Sequence, residues 1–371
     1  MRIDRISIYR VRLPLITPFR TAFGNDAAIE SILVRLGSGG VSAWGESAPW
    51  EHPAYSPESA AGAFLTSRNF IAPLLLGKTI DTGAALQKAL LCIKGNPFAK
   101  AAFDLAWWNL QAKQEGVPLW RKIGGTTQDV ACGADIGVLD SIGDLLREID
   151  LAMEAGYERL KLKYRPGWEL DMLEAVRNRF PDIVIHVDCN SAYTLKNIDM
   201  LKKLDDFNLA MIEQPLMHDD ILCHSILQKQ LRTPICLDES ISSPQKADEA
   251  IQMGACGFIN IKPGRVGGLT NALQIHDLAQ AAGIPCWVGG MLESSLGAHF
   301  CLALGTLPNI KYPSDIFPTS RFYARDLARP EMRHSAPSRF RAPDTIGAGA
   351  EPDAEAMLEQ VQELCHFAVQ G

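Results

Sequence analysis

Lys163, Asp188, Glu213, Asp238 and Lys262 each close a short apolar run, and they recur at intervals of 25, 25, 25 and 24 residues. Three are carboxylates and two are amines. The carboxylates offer only hard oxygen donors, which suit Mg²⁺ better than Zn²⁺, whose preference is His or Cys. Amines held near a bound carboxylic acid can remove and return a proton, which is general acid–base chemistry. None of this is possible unless the fold gathers residues spread from 163 to 262 into one small volume.

A period near 25 residues is what one strand, one helix and two loops require, so the run reads as consecutive β/α units. Strands are expected near 132–138, 159–163, 184–188, 210–213, 235–238, 258–262 and 285–288, with a weak eighth at 310–312. Helical stretches such as 144–155, 169–179 and 269–282 lie between them. Alternation of this kind implies a parallel sheet, and this many units close it into a barrel whose strand C-termini share one mouth. Lys161 lies two residues before Lys163 and so shares its face. Two ammonium groups that close repel, and one is expected to titrate below its ordinary value. His186 reads as an inward, packed histidine and Asn190 as a support for Asp188. Arg265, three residues after Lys262, reads equally as a like-charge neighbour tuning that lysine or as a surface arginine. The glycines from 264 to 268 read as a tight strand-to-helix turn rather than a phosphate loop. After the seventh strand, Gly290 and Met291 allow close backbone approach to a ligand, and Glu293 and Ser294 are candidates for shaping the pocket.

Outside this rhythm the chain divides. Residues 1–125 alternate polar and apolar positions over Ile3–Leu13, Ser31–Leu36 and Val41–Glu46, a small antiparallel sheet, and then turn helical. The clearest helix starts at Asn96-Pro97, a capping residue followed by proline at the first position. We expect an α+β capping domain over 1–125, completed by 326–371, and a (β/α)7β barrel over 126–325: an α/β chain built on a modified TIM barrel. A last amphipathic helix is expected near 354–367. The chain has 371 residues, a formal net charge of −7 and no basic run, which argues against a nucleic-acid or anionic-membrane surface. Nine cysteines without a Cys-x-x-Cys pair fit a reducing cytoplasm. No stretch is long and apolar enough to span a bilayer.

The combination of motifs resembles the enolase superfamily, muconate-lactonizing subgroup, within it most closely the o-succinylbenzoate synthase / N-succinylamino acid (N-acylamino acid) racemase family. The resemblance rests on Leu-Pro-Leu-x-Thr-Pro-Phe-Arg-Thr-x-Phe-Gly at 13–24, Trp-Gly-Glu at 44–46 and Lys-Leu-Lys at 161–163. It continues through Ile-Glu-Gln-Pro-Leu at 212–216, Pro-Ile-Cys-Leu-Asp-Glu-Ser at 234–240, Asn-Ile-Lys-Pro-Gly-Arg-Val-Gly-Gly at 260–268 and Gly-Gly-Met-Leu-Glu-Ser at 289–294. It implies Lys163 and Lys262 as the acid/base pair and Asp188, Glu213 and Asp238 as ligands of Mg²⁺, with Mn²⁺ able to substitute. The implied reaction abstracts the α-proton of a small-molecule carboxylate to give an enediolate, the Lys-plus-Mg²⁺ pattern known for the superfamily. It further implies a loop near Thr17–Asn25 closing over the substrate, with Phe19 and Phe23 as apolar contacts, and a homo-oligomer. Arg265 matches members that racemise acylated amino acids. Asp135 departs from the pattern, which usually has a small hydroxyl residue there; a carboxylate would repel an anionic succinyl chain and favour another acyl group or a cationic substrate. Ser295 and Ala298 also depart, from the usual glycine and arginine.

Racemisation of N-acylamino acids is thus the leading expectation. The alternatives are dehydration to o-succinylbenzoate in menaquinone biosynthesis and a related cycloisomerase or epimerase with altered substrate. A non-catalytic binding protein would bind indifferently to EDTA and to Lys163→Ala. A Schiff-base aldolase would not need three carboxylates on successive strands.

Overall fold

The computed structural model describes residues 1–20 and 24–369, so the expectation at Phe23 lies outside the described residues. Three strands open the chain, β1 (Arg5–Arg20), β2 (Asn25–Ser38) and β3 (Val41–Ser47), and pair antiparallel in sequence order. Alternation puts Ile6 and Ile8 of β1 and Ile32, Val34 and Leu36 of β2 on one face, fully buried. That face packs on helix α1 (Pro97–Glu115), which presents Ala99, Ala102, Phe103, Ala106 and Leu110 at helical spacing to the same core. Gly45 makes the approach possible, because a Cβ there would lie 2.4 Å from the Ala102 carbonyl oxygen and the Ala106 nitrogen.

Asn96 does not cap α1 as its position predicts. It sits in the left-handed region at φ 54° and its side chain makes no capping bond. The Glu58 carboxylate takes over, accepting from the N–H of Phe98 at 2.8 Å and of Ala99 at 3.1 Å. A carboxylate satisfies two orphan donors at once where asparagine satisfies one.

Seven parallel strands follow: β4 (Ala134–Ile136), β5 (Arg159–Lys163), β6 (Val184–Asp188), β7 (Ile212–Glu213), β8 (Ile235–Leu237), β9 (Phe258–Ile261) and β10 (Cys286–Val288). They are neighbours in chain order, each followed by a helix. The expected eighth strand is no regular strand among the described residues, yet the ring still closes. Lys311 N–H donates to Cys286 O at 2.9 Å on one side, and Gly133 N–H donates to Ser314 O at 3.1 Å on the other. Two prolines flank this stretch (Pro308 and Pro313), and proline lacks the N–H a ladder needs. Leu160, Leu162, Ile185, Val187, Ile235, Leu237, Ile259 and Ile261 face the surrounding helices. Lys161, His186, Met211, Cys236, Asn260 and Trp287 alternate with them and turn into the lumen.

The chain's end corrects the expected terminal helix. Only Ala354–Gln360 is helical; Val361–Ala368 is a strand, β11, that joins the free edge of β1 in antiparallel register from Arg5↔Ala368 to Val11↔Val361. Its half-buried positions alternate with period two, Cys365 and Phe367 packing on the sheet's core. The open edge of β1 offers a ladder of backbone partners that a lone amphipathic helix would leave unpaired. No helix of the described residues is long and apolar enough to cross a membrane.

Candidate active site

Strand register brings the charged residues together. Lys163 pairs with Asp188 and Asp188 with Glu213 across β5, β6 and β7, while Asp238 and Lys262 immediately follow β8 and β9. Lys163, Asp188 and Lys262 line one cavity, together with Asp135, Lys161, Asn190, Asp315 and an apolar rim that includes Phe19, Trp50, Leu292 and Phe317. Lys163 and Lys262 arrive from strands four places apart in the sheet, so they face the cavity from opposite sides.

Ion pairing is dense on the Lys163 side. Asp188 Oδ2 lies 2.9 Å from Lys161 Nζ and 2.8 Å from Lys163 Nζ, and Lys161 Nζ also reaches Glu213 Oε2 at 2.8 Å and Asp315 Oδ2 at 3.5 Å. Burial alone would raise the Asp188 carboxyl, but the Lys161 and Lys163 ammonium groups outweigh it and hold it well below the usual range. Glu213 is likewise held low: burial and Asp188 push it up, and Lys161 and the His186 imidazole, its Nε2 3.4 Å from Glu213 Oε2, pull it down further. The expected depression of a lysine by its lysine neighbour is not met at Lys161. Burial lowers it, but Asp188, Glu213, Asp315 and Asp135 together carry it well above its ordinary value. Opposite charges at contact distance decide the balance over one like charge further off. Lys163 also donates to Asn190 Oδ1 at 3.0 Å, and Asn190 Nδ2 bridges Asp188 and Glu239, each at 3.3 Å.

The opposite side is built around Asp238 and Tyr55. Lys262 Nζ donates to Asp238 Oδ2 at 2.8 Å and to the Tyr55 hydroxyl at 3.1 Å, and that hydroxyl donates to Asp238 Oδ1 at 3.0 Å. Arg265 is no surface arginine: it is 2% exposed, pairs with Asp238 Oδ1 and also donates to Tyr55 at 3.1 Å. It does not line the cavity of the two lysines, and its remaining donors go to the backbone carbonyls of Ile241 and Asn260. Burial lowers Lys262, and the Tyr55 hydroxyl, Glu239 and Glu213 more than offset that, leaving it above its ordinary value. Burial, with Asp188 close by, lifts Glu239 to about 7.

Among the described residues no three acidic, His or Cys side chains are drawn close enough to hold an ion, because each carboxylate is turned toward a lysine or arginine. The donor set nevertheless fits Mg²⁺. Asp188, Glu213 and Asp238 are buried oxygen donors on successive strands, and Glu213 Oε2 and Glu239 Oε2 have no hydrogen-bond partner. Glu213 Oε2 is close to Lys161, as above, but not in hydrogen-bonding geometry.

The candidates after β10 divide. Gly290 and Met291 line the cavity, and Met291 O accepts from Trp50 Nε1 at 2.8 Å. Glu293 and Ser294 do not line it. Glu293 turns back to accept from Met291 N–H at 2.8 Å, and Ser294 binds Glu46 through both its N–H and its hydroxyl. The helix that begins at Ser295 needs its exposed donors satisfied, and Glu46 of β3 provides this from across the domain boundary. The glycine turn packs as expected of a turn: a Cβ on Gly264 would lie 2.9 Å from the Phe98 ring, and a Cβ on Gly268 2.3 Å from the Asp104 side chain.

Sequence reasoning misses Tyr55, Trp50, Asp315 and Phe317. Asp315 lies three residues past the expected eighth strand, beyond Pro313, and so does not close an apolar run as the others do. Tyr55 and Trp50 lie in a segment without periodicity, and only the fold brings them to the barrel mouth.

Residues 5–124 match the model of the mandelate racemase / muconate lactonizing enzyme N-terminal domain, and residues 144–356 that of the enolase C-terminal domain-like family. The chain is 41% identical to N-succinylamino acid racemase of Thermus thermophilus over 94% of both chains. It is also 41% identical to o-succinylbenzoate synthase of Geobacillus stearothermophilus, over 99% of this chain and 97% of that one. Its structure superposes on that of an enolase-superfamily member from Listeria innocua with a TM-score of 0.95, at 34% identity and covering 99% of each. The chain therefore belongs to the mandelate racemase / muconate lactonizing enzyme family of the enolase superfamily, and it is an enzyme of that superfamily.

Proposed function

We propose that this enzyme racemises N-acylated amino acids in a Mg²⁺-dependent reaction. The observation that carries the proposal is the placement of Lys163 and Lys262 on opposite walls of one cavity. Asp188, Glu213 and Asp238 would hold the ion, the metal that enolase-superfamily members use. Mg²⁺ supplies positive charge against which a substrate carboxylate becomes a better electron sink. Lys163 Nζ takes the α-proton from one face, and the Lys262 ammonium delivers a proton to the other; the lysines exchange roles for the mirror-image substrate. Tyr55 and Asp238 hold Lys262 Nζ in place. Phe19, Trp50, Leu292 and Phe317 exclude water, so that the nascent carbanion meets a lysine before solvent.

Deuterium incorporation at the α-carbon tests this reading. In D₂O with N-succinyl and N-acetyl amino acids of each hand, the protein is expected to exchange and racemise at least one of the two acyl classes. Lys163→Ala or Lys262→Ala should lower turnover by at least about a hundredfold. Absence of exchange with every acyl amino acid would sink the proposal.

The similarity to enzymes named o-succinylbenzoate synthase supports a second reading, in which the same site dehydrates. One lysine then serves as base and afterwards as acid, and the other remains a cation. The two separate on product mass: dehydration removes water, and racemisation changes only the hand.

A further inference from the structure

Asp135 lies on β4 in register with Lys161 and lines the same cavity as the two lysines. Its neighbours there are all compensated. Asp188 has Lys161 and Lys163, and Asp315 has Lys161 at 3.5 Å and Arg159 at 2.9 Å. Asp135 has no lysine, arginine or histidine nitrogen within salt-bridge distance among the described residues, and its Oδ1, buried from solvent, has no hydrogen-bond partner. Two arginines are spent on the backbone of this strand: Arg321 donates at 2.6 Å to the carbonyl of Asp135, with its guanidinium over the Phe317 ring on the cavity rim, and Arg159 donates at 3.4 Å to the carbonyl of Ala134. An ionised oxygen shielded from water and left without a donor is costly, and a chain keeps such a group where something else satisfies it.

We propose that Asp135 is a specificity-determining residue that selects substrates carrying a positive charge away from the reacting carboxylate and rejects those carrying a second carboxylate there. This rests on the acid/base reading above and deepens it. A substrate whose carboxylate and α-carbon sit between Lys163 and Lys262 must extend toward the apolar rim or toward β4. A cation reaching β4 gives Asp135 a charge-assisted partner in a poorly solvated place. An anion there meets a like charge that no ion pair neutralises. The charge of Asp135 is already felt in the cavity, since it is among the groups that raise Lys161.

The test uses the Mg²⁺-loaded protein and two substrate series. One fixes phenylalanine and varies the acyl group through N-succinyl, N-acetyl and N-glycyl; the other fixes the acetyl group and varies the side chain through glutamate, glutamine and lysine. Exchange of the α-proton gives kcat/KM, and calorimetric titration of the Lys163→Ala protein gives affinity without turnover. The cationic member of at least one series should exceed the anionic member by at least about tenfold in both measures. Asp135→Ser should shrink that ratio to about threefold or less. The series in which the ratio appears identifies the substrate arm that reaches β4. Preference for the anionic member in both series, or a ratio unchanged by Asp135→Ser, overturns the inference. If no compound exchanges but the affinities still rank by charge, the acid/base reading fails and the role of Asp135 stands. If nothing exchanges and nothing binds, both fall.

Discussion

Lys161 has the largest number of ionic partners of any residue in the site, and its removal has a calculable effect. Lys161→Met would leave Glu213 without its lysine and Asp188 with Lys163 alone. Removing one partner of a buried ion pair costs about 3–5 kcal/mol. Urea unfolding in EDTA should show a loss of that size, and saturating Mg²⁺ should recover part of it by restoring positive charge to the same carboxylates; equal losses with and without Mg²⁺ would contradict the assignment of the ion to Asp188 and Glu213. Tyr55 makes a gentler test. Its hydroxyl contacts Lys262, Asp238 and Arg265 at once, so Tyr55→Phe keeps the ring and removes the tether. We expect kcat to fall about tenfold with little change in KM, read in steady-state kinetics. The five periodic residues were legible because each closes an apolar strand, where position in sequence converts directly into position at the mouth. Arg265 was legible as a residue but not as a partner. Nothing in the sequence says that it turns inward to Asp238 rather than out to water.

At the scale of elements, the barrel was readable and the edges were not. Strands that end in charge and alternate with helices leave one architecture, whereas the eighth segment between Pro308 and Pro313 makes barrel contacts without a regular ladder. The final segment shows the same limit. Val361–Ala368 contains enough apolar residues to satisfy either period, and the free edge of β1 decides in favour of strand. That choice predicts a specific fragility. Deleting the chain from Val361 onward would uncover β1, and hydrogen exchange should then accelerate along β1 while the barrel strands keep their protection. Slow exchange throughout β1 in the shortened protein would show that the sheet does not depend on this pairing. Two helices are capped locally, by Ser141 and Ser243, which accept from Asp144 N–H at 3.1 Å and Lys246 N–H at 3.2 Å. α1 is instead capped by Glu58, nearly forty residues upstream, a distance over which sequence patterns carry no information.

The whole molecule is joined by buried carboxylates at helix N-termini. Glu46 of β3 accepts from Ser294 N–H at 3.0 Å and Gly297 N–H at 2.9 Å, and Asp104 of α1 accepts from Thr270 N–H at 3.0 Å. Burial outweighs these hydrogen bonds and lifts Glu46 to about 7 and Asp104 to about 6. A folded pKa above the unfolded one means the native state binds more protons. The stability from these groups is therefore complete below the unfolded value of about 4 and is lost as pH rises toward 7. Asp188 and Glu213, held low, act in the opposite sense, and their contribution is lost only as pH falls below that range. Glu46→Gln should accordingly flatten the decline in stability between about pH 5 and pH 7, by at most about 3 kcal/mol; melting curves across that range with the wild-type slope would refute it. The Trp-Gly-Glu motif was visible in the sequence, but not that its glutamate serves a helix some 250 residues further on. This pairing bears on how such chains can recombine. A cap taken from one relative and a barrel from another would have to agree at two carboxylates and two helix starts at once. Crossovers between residues 46 and 294 that mismatch them would leave either a buried charge or bare N–H groups, and the two parts should thus be inherited as a set even though each looks like a separate module.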